Sequence, residues 1–466
     1  MYNEKNKART GIDPRTILRK AELENQMRLQ NTCVINQLGL KRSETVAYHR
    51  LMNNDTIQPN TFIKEMQNSV GLLVDGKHVL VINDTTEINY QKHAGFLSKE
   101  DVDLGPLGND KDIGYFLHPS LVIDSATHMP LGFSSIIQWN RRWDKESKTK
   151  RCYQQQNITE KESQRWLSSV EETKQSLSLA TQITVIADRE SDIYEEFATV
   201  PDERTHLLIR SSYNRSLLDG RTLESVLASE PITHRYDLKV RGTQQRKARE
   251  TKIQIKYTSV KIKKPSNLSK RKKIAEYVEL TVVEAREEAA FVPLGEKPIY
   301  WRILTTHTVC NGLEALQIIQ WYAMRWHIEL VFYTLKTGCL NVELSELETG
   351  KALKNMGLMA LKTALIIHQL KQSRIDATET EASLVFTAEE LIVIKACIPQ
   401  YEGKTEKQKN PFKENTLAWA AWLIARFGGW KGYQKESPPG VKTFKRGLDI
   451  FYNIYEGYFI AKKLCA

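Results

Sequence analysis

The stretch "WYAMRWHIELVFYTLK", residues 321–336, contains no Gly or Pro, and its apolar residues recur at helical spacing, so it predicts a single helix. At about 100° per residue, with Tyr322 taken as zero, Arg325 falls at about 300°, Glu329 at about 340° and Lys336 at about 320°. Met324, Ile328, Val331 and Leu335 lie on one side of this stripe, and Ala323, Trp326, Leu330 and Tyr333 on the other. An ordinary Arg–Glu pair at i,i+4 sits on a broad wet face. Here the charges occupy a slot between apolar flanks, and a carboxylate so placed needs a cation, either a basic side chain or a metal ion. The fold of this chain must therefore bring such a partner to Glu329.

The chain upstream supplies candidates. "VLVIND" (79–84) predicts a strand, and "GYFLHPSLVID" (114–124) and "LGFSSIIQWN" (131–140) predict two more, joined by the turn "SATHMP". "EKESQRWLSSVEETKQSLSLA" (160–180) has helical spacing, and "ITVIAD" (183–188) is a buried strand. "SDIYEEFATV" is a short helix with Ser191 as its cap, and "HLLIRSS" (206–212) is a fifth strand. The order is strand, strand, strand, helix, strand, helix, strand, which permits a parallel crossover in an α/β domain. Alternating stretches within 213–300 read as a β insertion; residues 1–66 and 376–466 read as helical.

Two of the buried strands run into aspartates, Asp84 and Asp188. A single aspartate at a strand end more often caps a turn or a helix than faces a cleft. With Glu329, however, the two give three hard oxygen ligands, the set that suits Mg2+ beside a phosphate. Two such ions activate a water or hydroxyl and stabilise the leaving oxygen of an in-line phosphoryl displacement. Arg325 and Lys336 would then neutralise phosphates beside them.

Charge points the same way. The net charge is +11, and residues 239–273 hold fourteen Lys or Arg against the single acid Glu250. Such a run is either a solvated loop or a phosphate-contacting surface. No run of about 18 apolar residues exists, so no membrane helix is expected. The start "MYNEKNKART" has no apolar core, so no signal peptide is expected either and the chain should be cytoplasmic. The six cysteines are scattered without a CxxC pair, which reads as free thiols, and a structural zinc is not expected.

Strand order, the two aspartates and the helix-borne glutamate resemble the RNase H-like fold of DDE transposases. Y-x2-R-x3-E-x6-K, here Tyr322, Arg325, Glu329 and Lys336, resembles the signature of the Tn-five-like, insertion-sequence-four family of bacterial transposases. "NDTTEINY" around Asp84, "DRESDIYEEF" around Asp188, "EKESQRWL" and "LAWAAWLIARFGG" (417–429) are similar to stretches of the same family. One departure stands near the start: "AYHRLMNN" (47–54) has His49 where the relatives carry arginine, with Arg50 one step on.

The resemblance implies an RNase H-like mixed sheet flanked by helices over 67–375, with the β-rich insertion at about 213–300. It also implies a helical DNA-recognition domain at 1–66 and a helical dimerisation domain at 376–466. Asp84, Asp188 and Glu329 would be catalytic and would bind Mg2+, with Mn2+ able to substitute, in two ions. Tyr322, Arg325, Lys336, Trp301 and Arg210 would contact DNA, Trp301 by stacking on a flipped base. On the residues alone, Trp301 is equally a core tryptophan at a strand end, and Arg210 half of a surface ion pair. The implied partners are double-stranded DNA, as transposon terminal inverted repeats and target, and a second copy of the chain in a synaptic homodimer at the bacterial nucleoid. The implied reaction is cut-and-paste transposition by nicking, hairpin formation and strand transfer. A catalytically silent DNA-binding inhibitor and a structure-specific endonuclease of RNase H-like fold are the alternatives.

Overall fold

The computed structural model describes residues 14–30, 32–38, 41–144, 156–240, 242, 247–268, 273–375, 379–432 and 437–464. Helices α1 (Pro14–Gln30), α2 (Arg42–Met52) and α3 (Pro59–Gly71) come first. Strands β1 (His78–Asn83), β2 (Thr86–Asn89), β3 (Gly105–Pro106), β4 (Ile113–Asp124) and β5 (Pro130–Trp139) follow. Then come α4 (Gln164–Ser176), β6 (Gln182–Ala187), α5 (Tyr194–Thr199) and β7 (Thr205–Arg210). The insertion holds α6 (Leu223–Ser229), β8 (His234–Val240), β9 (Arg249–Lys263) and β10 (Tyr277–Glu287), and β11 (Tyr300–Thr305) closes it. Helices α7 (Gly312–Ala323), α8 (Trp326–Tyr333), α9 (Gly350–Ser373), α10 (Ala388–Tyr401), α11 (Leu417–Phe427) and α12 (Val441–Leu464) complete the order.

β5, β4 and β1 pair antiparallel, and β6 and β7 continue the sheet parallel to β1. This is the expected RNase H-like arrangement of a mixed sheet flanked by helices, with helical regions at both ends of the chain. The insertion does not form a sheet of its own. β11 pairs antiparallel with β7, and β10, β9 and β8 extend the same sheet outward.

Side chains alternate across a strand, so one apolar run can fill two cores. In β1, Leu80 and Ile82 join the core that holds Ile328 and Val331 of α8 and much of α9, while Val79 and Val81 join the core under α4. β6 and β7 divide alike: Ile186 and Leu208 on the first face, Val185, Leu207 and Ile209 on the second. All are fully buried, and each such side chain stabilises the fold by about 1.5–3 kcal/mol relative to exposure.

Two local features depart from the sequence reading. β1 does not end the pairing at Asp84: β2 resumes on the same edge of β4 in the same register, Asn83 opposite Ser120 and Thr86 opposite Leu117. That register sets Pro119 opposite Asp84. Proline has no N–H to give the ladder, so the strand is interrupted there and Asp84 is released from pairing. Ser191 is not a helix cap. Asp188 caps a short turn, Arg189–Ser191, while the Ser191 hydroxyl donates to the buried Glu196 at 2.6 Å and α5 starts only at Tyr194.

Part of the basic run of the insertion is matched by acids of neighbouring segments. Lys261 pairs with Glu279 (2.9 Å), the buried Lys264 with Glu276 (3.0 Å), and Arg249 with Glu287 (3.0 Å) and Glu296 (2.7 Å). A linear window counts the lysines of β9 without the glutamates that β10 lays beside them. Arg241, Arg246, Lys270, Arg271 and Lys272 lie outside the described residues. Among the described residues no helix is long and apolar enough to cross a membrane. Cys33, Cys310, Cys339 and Cys397 are free.

Candidate active site

The register across the three parallel strands builds the site. β1 and β6 pair with Ile82 beside Ile186, and β6 and β7 with Ala187 beside Ile209. Two residues beyond Ile82 is Asp84, two beyond Ile186 is Asp188, and one beyond Ile209 is Arg210. Asp84, Asp188 and Arg210 therefore form one row over neighbouring strands, whose spacing is about 4.8 Å. By the same parity they face the side of the sheet covered by α7 and α8. Trp301 of β11 shares that face, because Ile303 two residues on belongs to the same core.

Glu329 comes down from α8 to this row, and Arg325 joins the two. Its guanidinium donates to Asp84 Oδ2 at 3.0 Å and to Glu329 Oε1 at 2.5 Å. The Arg325 side chain is 14% exposed, Asp84 19% and Glu329 36%, so the bridge is mostly screened from water. Burial pushes Asp84 up to about 6, and the charges of Asp188 and Glu329 add to this against the Thr85 N–H and Arg325. The three carboxylates thus act on one another. Asp188 is fixed at its Oδ1, which accepts the Glu190 N–H at 2.9 Å.

Tyr322 is buried at the end of α7, and its ring meets that of Trp301 edge-on with centroids 5.3 Å apart. Its phenol lies within reach of Arg210; burial raises it, and the charges of Arg325 and Arg210 oppose the rise. Arg210 also donates to the Tyr300 carbonyl at 3.1 Å and, among the described residues, is not half of a surface ion pair. Beside Trp301 an apolar cavity of about 280 Å³ is lined by Tyr236, Leu238, Ile253, Leu316 and Ile319.

The stripe on residues 321–336 is not carried by one helix. α7 stops at Ala323, and the N–H groups of Arg325, His327 and Ile328 bond three residues back, to Tyr322, Met324 and Arg325. This tight turn restarts the chain as α8, and residues Thr334–Gly338 then widen into a π-turn. The π-turn costs the stripe its last member: Lys336 pairs with Glu343 at 3.4 Å and not with Asp84 or Glu329. Nor is the slot buried on both sides. Ile328, Val331 and Leu335 are buried, but Trp326 is 60% exposed and Tyr333 43%.

Three hard carboxylates on one sheet face, two of them sharing one cation, have the chemistry of a divalent-metal site. Their present arrangement is closed by Arg325: among the described residues, no group of three or more His, Cys, Asp or Glu is placed to hold a metal. Several supporting residues were not singled out from sequence, among them Arg165, Glu190 and the buried Asp192–Arg215 pair (2.6 Å). The only signal was their position inside the stretches around Asp188 and α4. On a helical pattern Arg165 reads as an ordinary surface charge.

Two aspartates just beyond parallel strands, a helix-borne glutamate and an adjoining arginine thus share one face of an RNase H-like sheet. Residues 140–366 match the family model for the transposase DDE domain. The matched span contains Asp188, Arg210, Trp301, Tyr322, Arg325, Glu329 and Lys336; Asp84 precedes it. Among solved structures, the chain is similar to that of the piggyBac transposase synaptic complex with hairpin DNA, at 10% identity and a TM-score of 0.38. That match covers 98% of this chain and 73% of the other.

Proposed function

We propose that the chain is a DNA transposase that nicks transposon ends, forms hairpins and joins the freed 3′ ends to target DNA. The observation that carries the reading is the convergence of Asp84, Asp188 and Glu329 on one sheet face, with Arg325 between two of them. Asp84, Asp188 and Glu329 would hold Mg2+ or Mn2+, which when bound activates a water or 3′-hydroxyl and stabilises the leaving oxygen. Arg325 offsets the crowding of carboxylate charge and presents its remaining donors to a phosphate. Arg210 and Tyr322 offer a cation and a hydroxyl in the same row, and Lys336 a further cation at its rim. The half-buried Trp301, beside its apolar cavity, offers an aromatic edge for a displaced base. End recognition by α1–α3 and pairing of two copies through α10–α12 belong to the same proposal.

The test is incubation with DNA carrying the ends of its own element and Mg2+. Nicks followed by hairpins and joined products are expected, all lost in Asp84→Ala, Asp188→Ala and Glu329→Ala. Cleavage by those variants at the wild-type rate would sink the proposal. Nicks without joined products would leave an endonuclease, and DNA binding with no preference for the ends and no cleavage a silent inhibitor.

A further inference from the structure

We propose that Arg165, on α4, is a positioning residue that sets the spacing of the two aspartates. The inference rests on the function proposed above. Each aspartate is held by a near neighbour in sequence, and both neighbours are tied to this one guanidinium. On the first side, Asp84 Oδ1 accepts the Thr85 N–H at 2.7 Å, and the Thr85 hydroxyl accepts from Arg165 Nε at 3.0 Å. On the second, Asp188 Oδ1 accepts the Glu190 N–H at 2.9 Å, and Glu190 Oε2 accepts from the Arg165 guanidinium at 2.6 Å.

The guanidinium itself has little freedom. Its side chain is 12% exposed, it donates to the Glu162 carbonyl at 3.0 Å, and it lies 5.2 Å from the Trp139 ring and 5.1 Å from the Trp166 ring. Thr85 is also held from the other side by the buried His118, 2.9 Å away. α4 and β5 thus form a rigid bracket, and Arg165 is the link from that bracket to both aspartate loops. A planar fork with separated donors can span two loops at once; a lysine ammonium can reach one.

Arg165 touches neither aspartate, so its effect should be that of an outer partner, about 10–100-fold in metal affinity or rate. The experiment titrates the full chain with Mn2+ alone, without DNA, following free Mn2+ by electron paramagnetic resonance, beside thermal unfolding and single-turnover nicking. Arg165→Lys should weaken Mn2+ binding and slow nicking by about 10-fold or more, with DNA affinity and Tm close to wild type. Glu190→Gln should do the same more mildly, and the double variant should be no worse than Arg165→Lys, because both cut one link. If Arg165→Lys fails to fold, Glu190→Gln and Thr85→Val read the link from its two far ends. Wild-type Mn2+ affinity in these variants, with or without a lowered Tm, overturns the inference while Asp188→Asn still loses the metal. If Asp84→Asn and Asp188→Asn bind Mn2+ like wild type, the failure is that of the proposed function instead.

Discussion

The parallel strands β1, β6 and β7 carry titratable groups at both ends, handled in opposite ways. At the carboxyl end stand Asp84 and Asp188, with Arg210 in the same row. At the amino end stand His78 and His206, joined by His307 just beyond the antiparallel β11. Thr184 links two of these rings, 2.9 Å from His78 and 2.8 Å from His307, and His206 stacks on His307 at 4.1 Å. Burial holds His307 down to about 3 and His78 to about 4, and lowers His206; the neighbouring rings reinforce this for His78 and His307. The histidine end is thus neutral and packed. The carboxylate end stays charged and is matched by arginine. Polar groups with fixed partners within the chain make structure, whereas two carboxylates balanced by one arginine beside a third leave room for a ligand. Adjacent residues join the two ends: Trp321 packs on His78 and His307, and Tyr322 on Trp301.

This contrast can be broken most sharply by activity. Asp188→Asn should reduce nicking by ~10³-fold or more, as removal of a group acting in the transition state does. His307→Gln should leave the rate within about threefold under the same assay, and a large loss there would merge the two ends into one site.

Acid separates them next. The histidines bind protons more weakly folded than unfolded, so their stabilising share is complete above about pH 6.5. It is lost as the pH falls toward about 4 and 3, the folded values of His78 and His307. Asp84 has the opposite sign, since its raised value favours the folded state at low pH. Urea unfolding in chelator should show stability falling between pH 6.5 and 4, and His307→Gln should remove on the order of 2 kcal/mol of that fall. A variant with an unchanged profile would show that the cluster is not what acid breaks.

Arg325→Ala should cost a smaller amount, about 1–2 kcal/mol, because Glu329 is partly exposed and screened. Millimolar Mg2+ should restore part of it, and no restoration would mean that a metal does not substitute for the guanidinium. The smallest effect concerns the insertion. Lys263→Ala, at an exposed position, should reduce the slope of log affinity against log salt by about one, and Lys264→Ala, buried against Glu276, should leave it unchanged. Equal slopes for both would return β9 to a solvated face.

Much of the carboxylate end was legible in the chain. Near-continuous apolar runs ending on Asp84 and Asp188 mark strands buried on both faces with polar ends, and the i,i+4 spacing of Arg325 and Glu329 survives the helix break because both follow it. What was not legible depends on distant segments. Pro119 opposite Asp84 is a property of strand register. The turn after Ala323 has no glycine or proline to announce it, and it lies where Arg325 is bonded to Asp84, 241 residues away. Lys336 lies in the π-turn Thr334–Gly338, past the end of α8, and so leaves the stripe. Lys261 and Arg249 of the basic run looked unpaired because Glu279 and Glu287 lie on the next strand. The histidine cluster was invisible, since its members are spread over 230 residues without ligand-like spacing.

The most direct test asks where a divalent metal sits. Fe2+ substituted for Mg2+, with ascorbate and peroxide, generates radicals that cut the polypeptide beside the bound ion. The account predicts cuts near residues 84, 188 and 329, suppressed by excess Mg2+ and absent in Asp84→Asn and Asp188→Asn. Cuts near His78, His206 and His307, or cuts that persist unchanged in the aspartate variants, would contradict it.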